Sequence, residues 1–267
     1  MKYWIKRSVL PFGIVCLMSM ALCGCGREKK EAVTVQPELV IGSDDYEPYN
    51  YQNENGDYAG VDVELAKEAC RRIGYTPVFK QIQWDDKDIY LENGEVDCAW
   101  GSFSMDGRED DYIWVGPYMY SREVVMVRTD SDIYKLDDLA GKNVAVQSST
   151  QPERIFLEQG YETIPNVYSF VEMNELFAAL RKGYVDACAG HEIVMREYLR
   201  QSGQKYRILD EEIIDSKLGV AFSKNKDTQK AEQLRQAMAE MLEDGTVQCI
   251  LEKYGMEDRV AAGGITP

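Results

Sequence analysis

The sequence predicts an α/β fold of two lobes, joined by two crossover strands. Three observations predict it. From residue 39 onward, apolar stretches of strand length alternate with stretches of helical period, the rhythm of βαβ units and a mainly parallel sheet. A short internal repeat follows: Leu91-x-x-Gly94-x-Val96-Asp97-Cys98-Ala99-x-Gly101 aligns without gaps on Leu180-x-x-Gly183-x-Val185-Asp186-Ala187-Cys188-x-Gly190. It gives each lobe a helix, a glycine turn and a strand, and it sets Ser102 opposite His191. Finally, two strands flank the second copy, Glu123 to Arg128 before it and Lys217 to Phe222 after it, and read as the outward and return crossovers.

Lys2, Lys6 and Arg7 open the chain, and Ser8 to Leu22 is largely apolar. That run is shorter than the roughly 20 residues a membrane-spanning helix needs, so it reads as a signal segment. Leu22-Cys23-Gly24-Cys25 resembles a bacterial lipobox. The resemblance implies removal of residues 1–24 and a lipid on the Cys25 thiol, with a plain secretory signal or an uncleaved anchor as the alternatives. Residues 25–37 are polar, of both charge signs, and read as a tether. Leu39 to Gly42 is a short strand. Val61, Leu65, Ala69 and Ile73 recur at helical spacing, so a helix is expected over Asp62 to Arg72, stopped by Gly74. Pro77 begins a strand, and Trp84-Asp85-Asp86 opens a helix that ends at Asn93-Gly94. Val96 to Trp100 is a strand expected to run out into a loop, Gly101 to Ser104, closed by Arg108. Trp114 to Tyr118 reads as turn-rich. A short helix at Leu136 to Leu139, a strand at Asn143 to Gln147 and helices from Pro152 and over Val171 to Lys182 build the second lobe. A long helix around Leu234 to Leu242 and a shorter one after Gly245 precede the tail 259–267, expected to be flexible.

The formal charge of −16 argues against nucleic acid and against adhesion to anionic lipid, and with the acids spread along the chain it specifies no cationic ligand. One histidine and the lack of any Cys-x-x-Cys spacing leave a metal site without support, and no phosphate-binding loop is present. Beyond the leader and Cys25, four cysteines remain: Cys70, Cys98, Cys188 and Cys249. Cys98 and Cys188 sit in the two repeated strands and read as small buried hydrophobes.

The stretch Gly101 to Arg108 has the make-up of a ligand edge. Small residues let a solute approach the backbone, hydroxyls exchange hydrogen bonds, and an arginine fork clamps a carboxylate. Further motifs are Gly42-Ser43-Asp44 leading to Tyr46-x-Pro48-Tyr49, then Asn55-Gly56-x-x-x-Gly60-Val61-Asp62, Pro117-Tyr118, Leu136-x-Asp138-Leu139-x-Gly141 and Asp244-Gly245-Thr246. In this order and spacing the chain resembles the extracytoplasmic solute-binding proteins of polar amino-acid ABC transporters, over about residues 38–255. The resemblance implies the type II periplasmic-binding-protein fold. Lobe 1 would be 38–127 with 218–258 and lobe 2 would be 128–217. The lobes would close by a hinge motion on an amino acid or small carboxylate, delivered to a permease driven by separate ATPase subunits. A monomer held to the membrane by its lipid alone, without a cofactor, completes this expectation.

Carried over by motif, Tyr46 and Tyr49 face the ligand's side chain, Ser102 and Ser104 its backbone groups, and Arg108 its carboxylate. Trp100 and Phe103 belong to the same edge, Asp44 lines the cleft, and Gln147, Ser149 and Thr150 approach from lobe 2. Each has a bland alternative: Tyr49 as core, Ser102 as a turn residue, Arg108 as a surface partner of Glu109 or Asp110. One departure stands out. Family members carry an aspartate for the ligand's ammonium after the second-lobe strand, where this chain has His191, with Glu192 beside it. Glu192 or Asp44 could take over the ammonium, the ligand could lack one, or His191 could face solvent. A dehydratase on the same fold, of the cyclohexadienyl type with His191 or Glu192 as acid, is the competing function, and a ligand-sensing module is a third.

Overall fold

In chain order the elements are β1 (Glu38–Ser43), β2 (Tyr51–Gln52), β3 (Tyr58–Ala59), α1 (Val61–Ile73), β4 (Thr76–Gln81), α2 (Lys87–Asn93), β5 (Cys98–Ser104), β6 (Ile113–Arg128), β7 (Asn143–Gln147), α3 (Gln151–Glu158), β8 (Asn166–Phe170), α4 (Met173–Lys182), β9 (Ala187–His191), α5 (Glu192–Ser202), β10 (Tyr206–Phe222), α6 (Gln229–Glu243) and α7 (Thr246–Glu252). The computed structural model describes residues 36–158, 164, 166–203, 205–226, 229–262 and 265. The leader, Cys25 and the tether up to residue 35 lie outside the described residues.

The sheet order is β4-β1-β5-β10-β6-β9-β7-β8. At one end β1 pairs in parallel with β4 and β5, and at the other β7 pairs in parallel with β8 and β9. Between these two parallel groups run β6 and β10, antiparallel to each other from Ile113↔Phe222 to Arg128↔Tyr206. They are the two crossovers, and both extend well beyond the stretches expected from sequence. Trp114 to Tyr118 is part of β6 and not a turn, because β10 supplies it with ladder partners. Gly101 to Ser104 is likewise strand and not loop, since Phe103 and Ser104 pair with Gly219 and Leu218. Small polar residues carry no apolar signal; the neighbouring strand makes them extended.

The internal repeat is visible as structure. Gly94 and Gly183 cap α2 and α4 in the left-handed region, at φ 71° and 73°. Three residues on, each copy places an aspartate that grips the neighbouring parallel strand. Val40 N–H donates to Asp97 Oδ2 at 2.7 Å, and Asn143 N–H donates to Asp186 Oδ2 at 2.8 Å. The Gly-x-Val-Asp pattern therefore starts a strand and fastens it to the one beside it. Within α1, Val61, Leu65, Ala66 and Ala69 are fully buried, each larger one worth about 1.5–3 kcal/mol of burial. Gly60 leads into the helix at φ 119°, and a Cβ there would sit 2.2 Å from the Tyr49 carbonyl oxygen, so the Tyr46–Tyr49 turn can lie directly on the start of α1. The start of the tail is seated: Val260 bridges to Met119, and Ala261 N–H donates to the Tyr118 carbonyl at 3.2 Å. Cys70, Cys98 and Cys188 are buried and free, and Cys249 is exposed and free.

Candidate functional site

A cavity lies where the ends of β1, β5, β7 and β9 converge, beside β6. It is lined by Asp44 and Tyr46 after β1, by Ser102, Phe103, Ser104 and Arg108 on and after β5, and by Gln147, Thr150 and His191 from the other end of the sheet. These nine are residues the sequence had put forward. The walls touch across it: Gln147 Nε2 donates to Asp44 Oδ2 at 2.6 Å, Ser148 Oγ donates to Asp85 at 2.9 Å, and Arg154 Nη2 donates to the Asp106 carbonyl at 2.9 Å.

Arg108 is fixed by neutral acceptors. Its guanidinium donates to the Ser104 carbonyl at 3.3 Å, the Ser149 carbonyl at 3.1 Å and Gln151 Oε1 at 3.4 Å, and it lies 5.4 Å from the centre of the Phe103 ring. No carboxylate lies within 4 Å of it among the described residues, which removes the surface-pair alternative with Glu109 or Asp110. Burial, then the neighbouring Arg154, lowers its pKa. A half-buried guanidinium held by carbonyls at both ends of the sheet is a receptor for an anion.

Ser102 turns at φ 45°, unusual for a residue with a side chain. Its N–H donates to Asp62 Oδ2 at 2.7 Å. Asp62 also accepts from Tyr118 OH at 2.8 Å and from Asn50 Nδ2 at 3.3 Å, so α1 pins the turn of β5 that faces the cavity. The Ser102 carbonyl lies 3.1 Å from His191 Nε2, and the two copies of the repeat meet at this bond. A carbonyl only accepts, so Nε2 carries the imidazole proton and Nδ1 is the acceptor, taking the Ser121 hydroxyl at 3.0 Å; Tyr49 OH then donates to Ser121 at 3.0 Å. Burial drives His191 down to about 4. It is buried, neutral and bonded at both nitrogens, and does not face solvent.

Four expected site residues sit elsewhere. Trp100 is fully buried in the core cluster that holds Val61 and Leu65, against Tyr118, because β5 turns that face toward α1. Tyr49 is 1% exposed and supports Ser121 from behind His191. Ser149 contributes its carbonyl to Arg108, while its N–H donates to Glu153. Glu192 points into a second cavity and pairs with Arg122 at 3.1 Å, Arg196 at 2.5 Å and Arg259 at 3.5 Å. The start of α5 reverses the chain after His191, which carries Glu192 away from the ligand side. Asp44 does line the cavity, with loss of hydration pushing it up to about 6 against its bond from Gln147.

Like Trp84 and Gln151, Glu123 is a cavity residue the sequence did not offer. It is paired with His191 across β6 and β9, is 1% exposed, and has Oε1 3.3 Å from His191 Nδ1. Burial pushes it up to about 8, against the pull of Arg108. The available signal was a lone acid at the head of the apolar run Val124 to Val127.

Residues 39–257 match the family of bacterial extracellular solute-binding proteins, family 3. The chain belongs to that family. Among relatives of this solute-binding protein is the L-cystine-binding protein TcyA of Bacillus subtilis strain 168, 26% identical over 95% of this chain and 99% of the relative. Among solved structures, an ancestral arginine-binding protein bound to arginine has a TM-score of 0.76 at 27% identity, over 82% of this chain and 98% of that one. An ancestral amino acid-binding protein described as a precursor of cyclohexadienyl dehydratase has a TM-score of 0.72 at 26% identity, over 81% and 95%. The fold is that of type II periplasmic amino-acid-binding proteins, and the family places this solute-binding protein outside the cytoplasm. No helix among the described residues is long and apolar enough to cross a membrane.

Proposed function

We propose that this solute-binding protein captures an amino acid or a related small carboxylate and delivers it to an ABC permease. Arg108 carries the reading: a half-buried cation on the cavity wall, held by Ser104 from one end of the sheet and by Ser149 and Gln151 from the other, with no acid partner among the described residues. A ligand carboxylate there completes contacts from both ends and holds the lobes closed. The lobes are 38–127 with 218–258, and 128–217, hinged where β6 and β10 pass between them. Cystine and arginine, named for two of the relatives above, are both amino acids, which supports the solute class. Cys25 anchors a monomer by its lipid through the tether 25–37 once residues 1–24 are removed.

The protein binds without turnover. His191 and Glu192, the acids a dehydratase would draw on, are spent: the imidazole is neutral and bonded at both nitrogens, and Glu192 lies in the second cavity. Incubation with prephenate is expected to give no product; product would reassign Glu123 as an acid. The test of binding is a thermal-shift screen of the full chain, refolded to strip co-purified solute, against L-amino acids, L-cystine and small carboxylates. A solute at 100 times its Kd stabilises by roughly 2.7 kcal/mol. A chain that none of these shifts is not their receptor.

A further inference from the structure

Glu123 and Arg108 are an acid and a cation on the wall of one cavity that do not pair with each other. Glu123 Oε2 is buried and has no hydrogen-bond partner among the described residues, with the Ser216 hydroxyl near enough to pull the Glu123 pKa down. Arg108 has neutral acceptors only. No ion pair forms between them, although each feels the other's field. A buried polar group left unpaired is costly, and a carboxyl and a guanidinium held apart call for a guest that carries an ammonium and a carboxylate.

The other groups near Glu123 are already committed. His191 donates from Nε2 to Ser102 and accepts at Nδ1 from Ser121, so it offers a ligand neither a donor nor an acceptor. Asp44 is held by Gln147 at 2.6 Å. Glu192 is held by three arginines in the second cavity. We propose that Glu123 receives the ammonium of the solute while Arg108 takes its carboxylate, so that the cavity is built for a zwitterion and not for a bare carboxylate. This rests on the solute-binding reading above and names the residue that sets its solute class.

A proton is part of the exchange. Glu123 Oε1 lies 3.3 Å from His191 Nδ1, whose one lone pair already accepts from Ser121, so an ionised carboxylate there would be repelled and the neutral acid is the favourable neighbour. Burial favours the same state, holding Glu123 up to about 8 in the empty cavity. The groups facing it from each side are Arg108 and Asp106 after β5, Tyr46 and Tyr49 after β1, His191 on β9, and Ser216 on β10. Of these, Arg108 pulls the Glu123 pKa down and Asp106 pushes it up. When an ammonium arrives, Glu123 ionises, its proton passes to solvent, and the ammonium keeps its own.

The experiment is calorimetry on the full chain at about pH 7, in phosphate and in Tris, whose ionisation heats differ, so that released protons are counted. The probes are the standard L-amino acids and L-cystine, each paired with its des-amino acid, such as 3-(imidazol-4-yl)propionate for L-histidine. In the wild type an amino acid should bind at least about 100-fold more tightly than its des-amino partner, with release of up to about one proton. E123Q should lose that preference and that proton while keeping its affinity for the des-amino acid. E123Q that binds the amino acid within about threefold of wild type overturns the proposal. So does an equal loss of both probes in E123Q that Glu123→Asp does not relieve, since that assigns Glu123 to the shape of the cavity. If no amino acid binds the wild type, the solute-binding reading itself fails.

Discussion

Asp62 and Glu123 are both carboxylates sealed from water at 1% exposure, and they are built in opposite ways. Asp62 is saturated, accepting from Ser102 N–H, Tyr118 OH and Asn50 Nδ2. Glu123, on the cavity wall, keeps one oxygen with no partner among the described residues. Burial raises both, Asp62 to about 6 and Glu123 to about 8; the three bonds restrain the first, and the second has little to restrain it. Burial therefore does not separate an acid that holds the fold from one that waits for a ligand. The count of satisfied lone pairs does.

The comparison breaks most visibly at Asp62. Asp62→Ala strips a buried backbone N–H, a phenol and an amide of their acceptor at once, and frees the φ 45° turn at Ser102. A stability loss of about 3–5 kcal/mol is expected by urea denaturation. A loss below about 1 kcal/mol would mean that saturation does not mark a structural acid.

The contrast also shows what the sequence could carry. Helices, parallel strands and crossovers were legible because periodicity and glycine stops are local signals, and the aspartates of the repeat could be seen before their strand-fastening bonds were known. Arg108, Ser102 and His191 were legible because they sit at fixed distances from such signals. Asp62 was visible only as part of a helix-start motif, since its partners Ser102 and Tyr118 come from β5 and β6. Glu123 read as the first residue of an apolar strand. Its meaning depends on the β6–β9 register, which sets it beside His191, and register across a long crossover leaves no local trace. Trp100 was misplaced for a related reason: the hydroxyl edge suggested a ligand, but α1 covers that face of β5.

A smaller effect sharpens the comparison through pH. An unfolded glutamate releases its proton near 4.3, while folded Glu123 keeps its proton up to about 8. Its stabilising contribution is full below about 4.3 and is lost as pH rises toward 8. Asp62 and Asp44, raised to about 6, complete the same loss earlier. His191, lowered to about 4, has the opposite sign: it costs stability as pH falls from about 6.5 toward 4. Between about pH 6.5 and 8 Glu123 is the one of these four still titrating. The ligand-free E123Q variant should gain on wild type across that window by on the order of 1–2 kcal/mol, then stay level above it. A gap that stays flat between pH 6.5 and 8 would mean that Glu123 is already ionised and solvated in the empty protein.

The smallest effect tests whether the bonds to Asp62 act singly or as a unit. Tyr118 is fully buried, and its OH donates to Asp62 Oδ1 at 2.8 Å. Tyr118→Phe removes that donor and leaves no orphan on its own side, while Asp62 keeps Ser102 N–H and Asn50. One hydrogen bond to a buried acid should then be missing, a loss of about 1 kcal/mol by urea denaturation. Because the Tyr118 bond holds the Asp62 pKa down, its removal should raise Asp62 further toward the value of Glu123. The stability loss of Asp62 with rising pH should accordingly extend to higher pH than in wild type. A Tyr118→Phe loss as large as that of Asp62→Ala would show that the three bonds stand or fall together, with the Ser102 turn released whenever any one is cut.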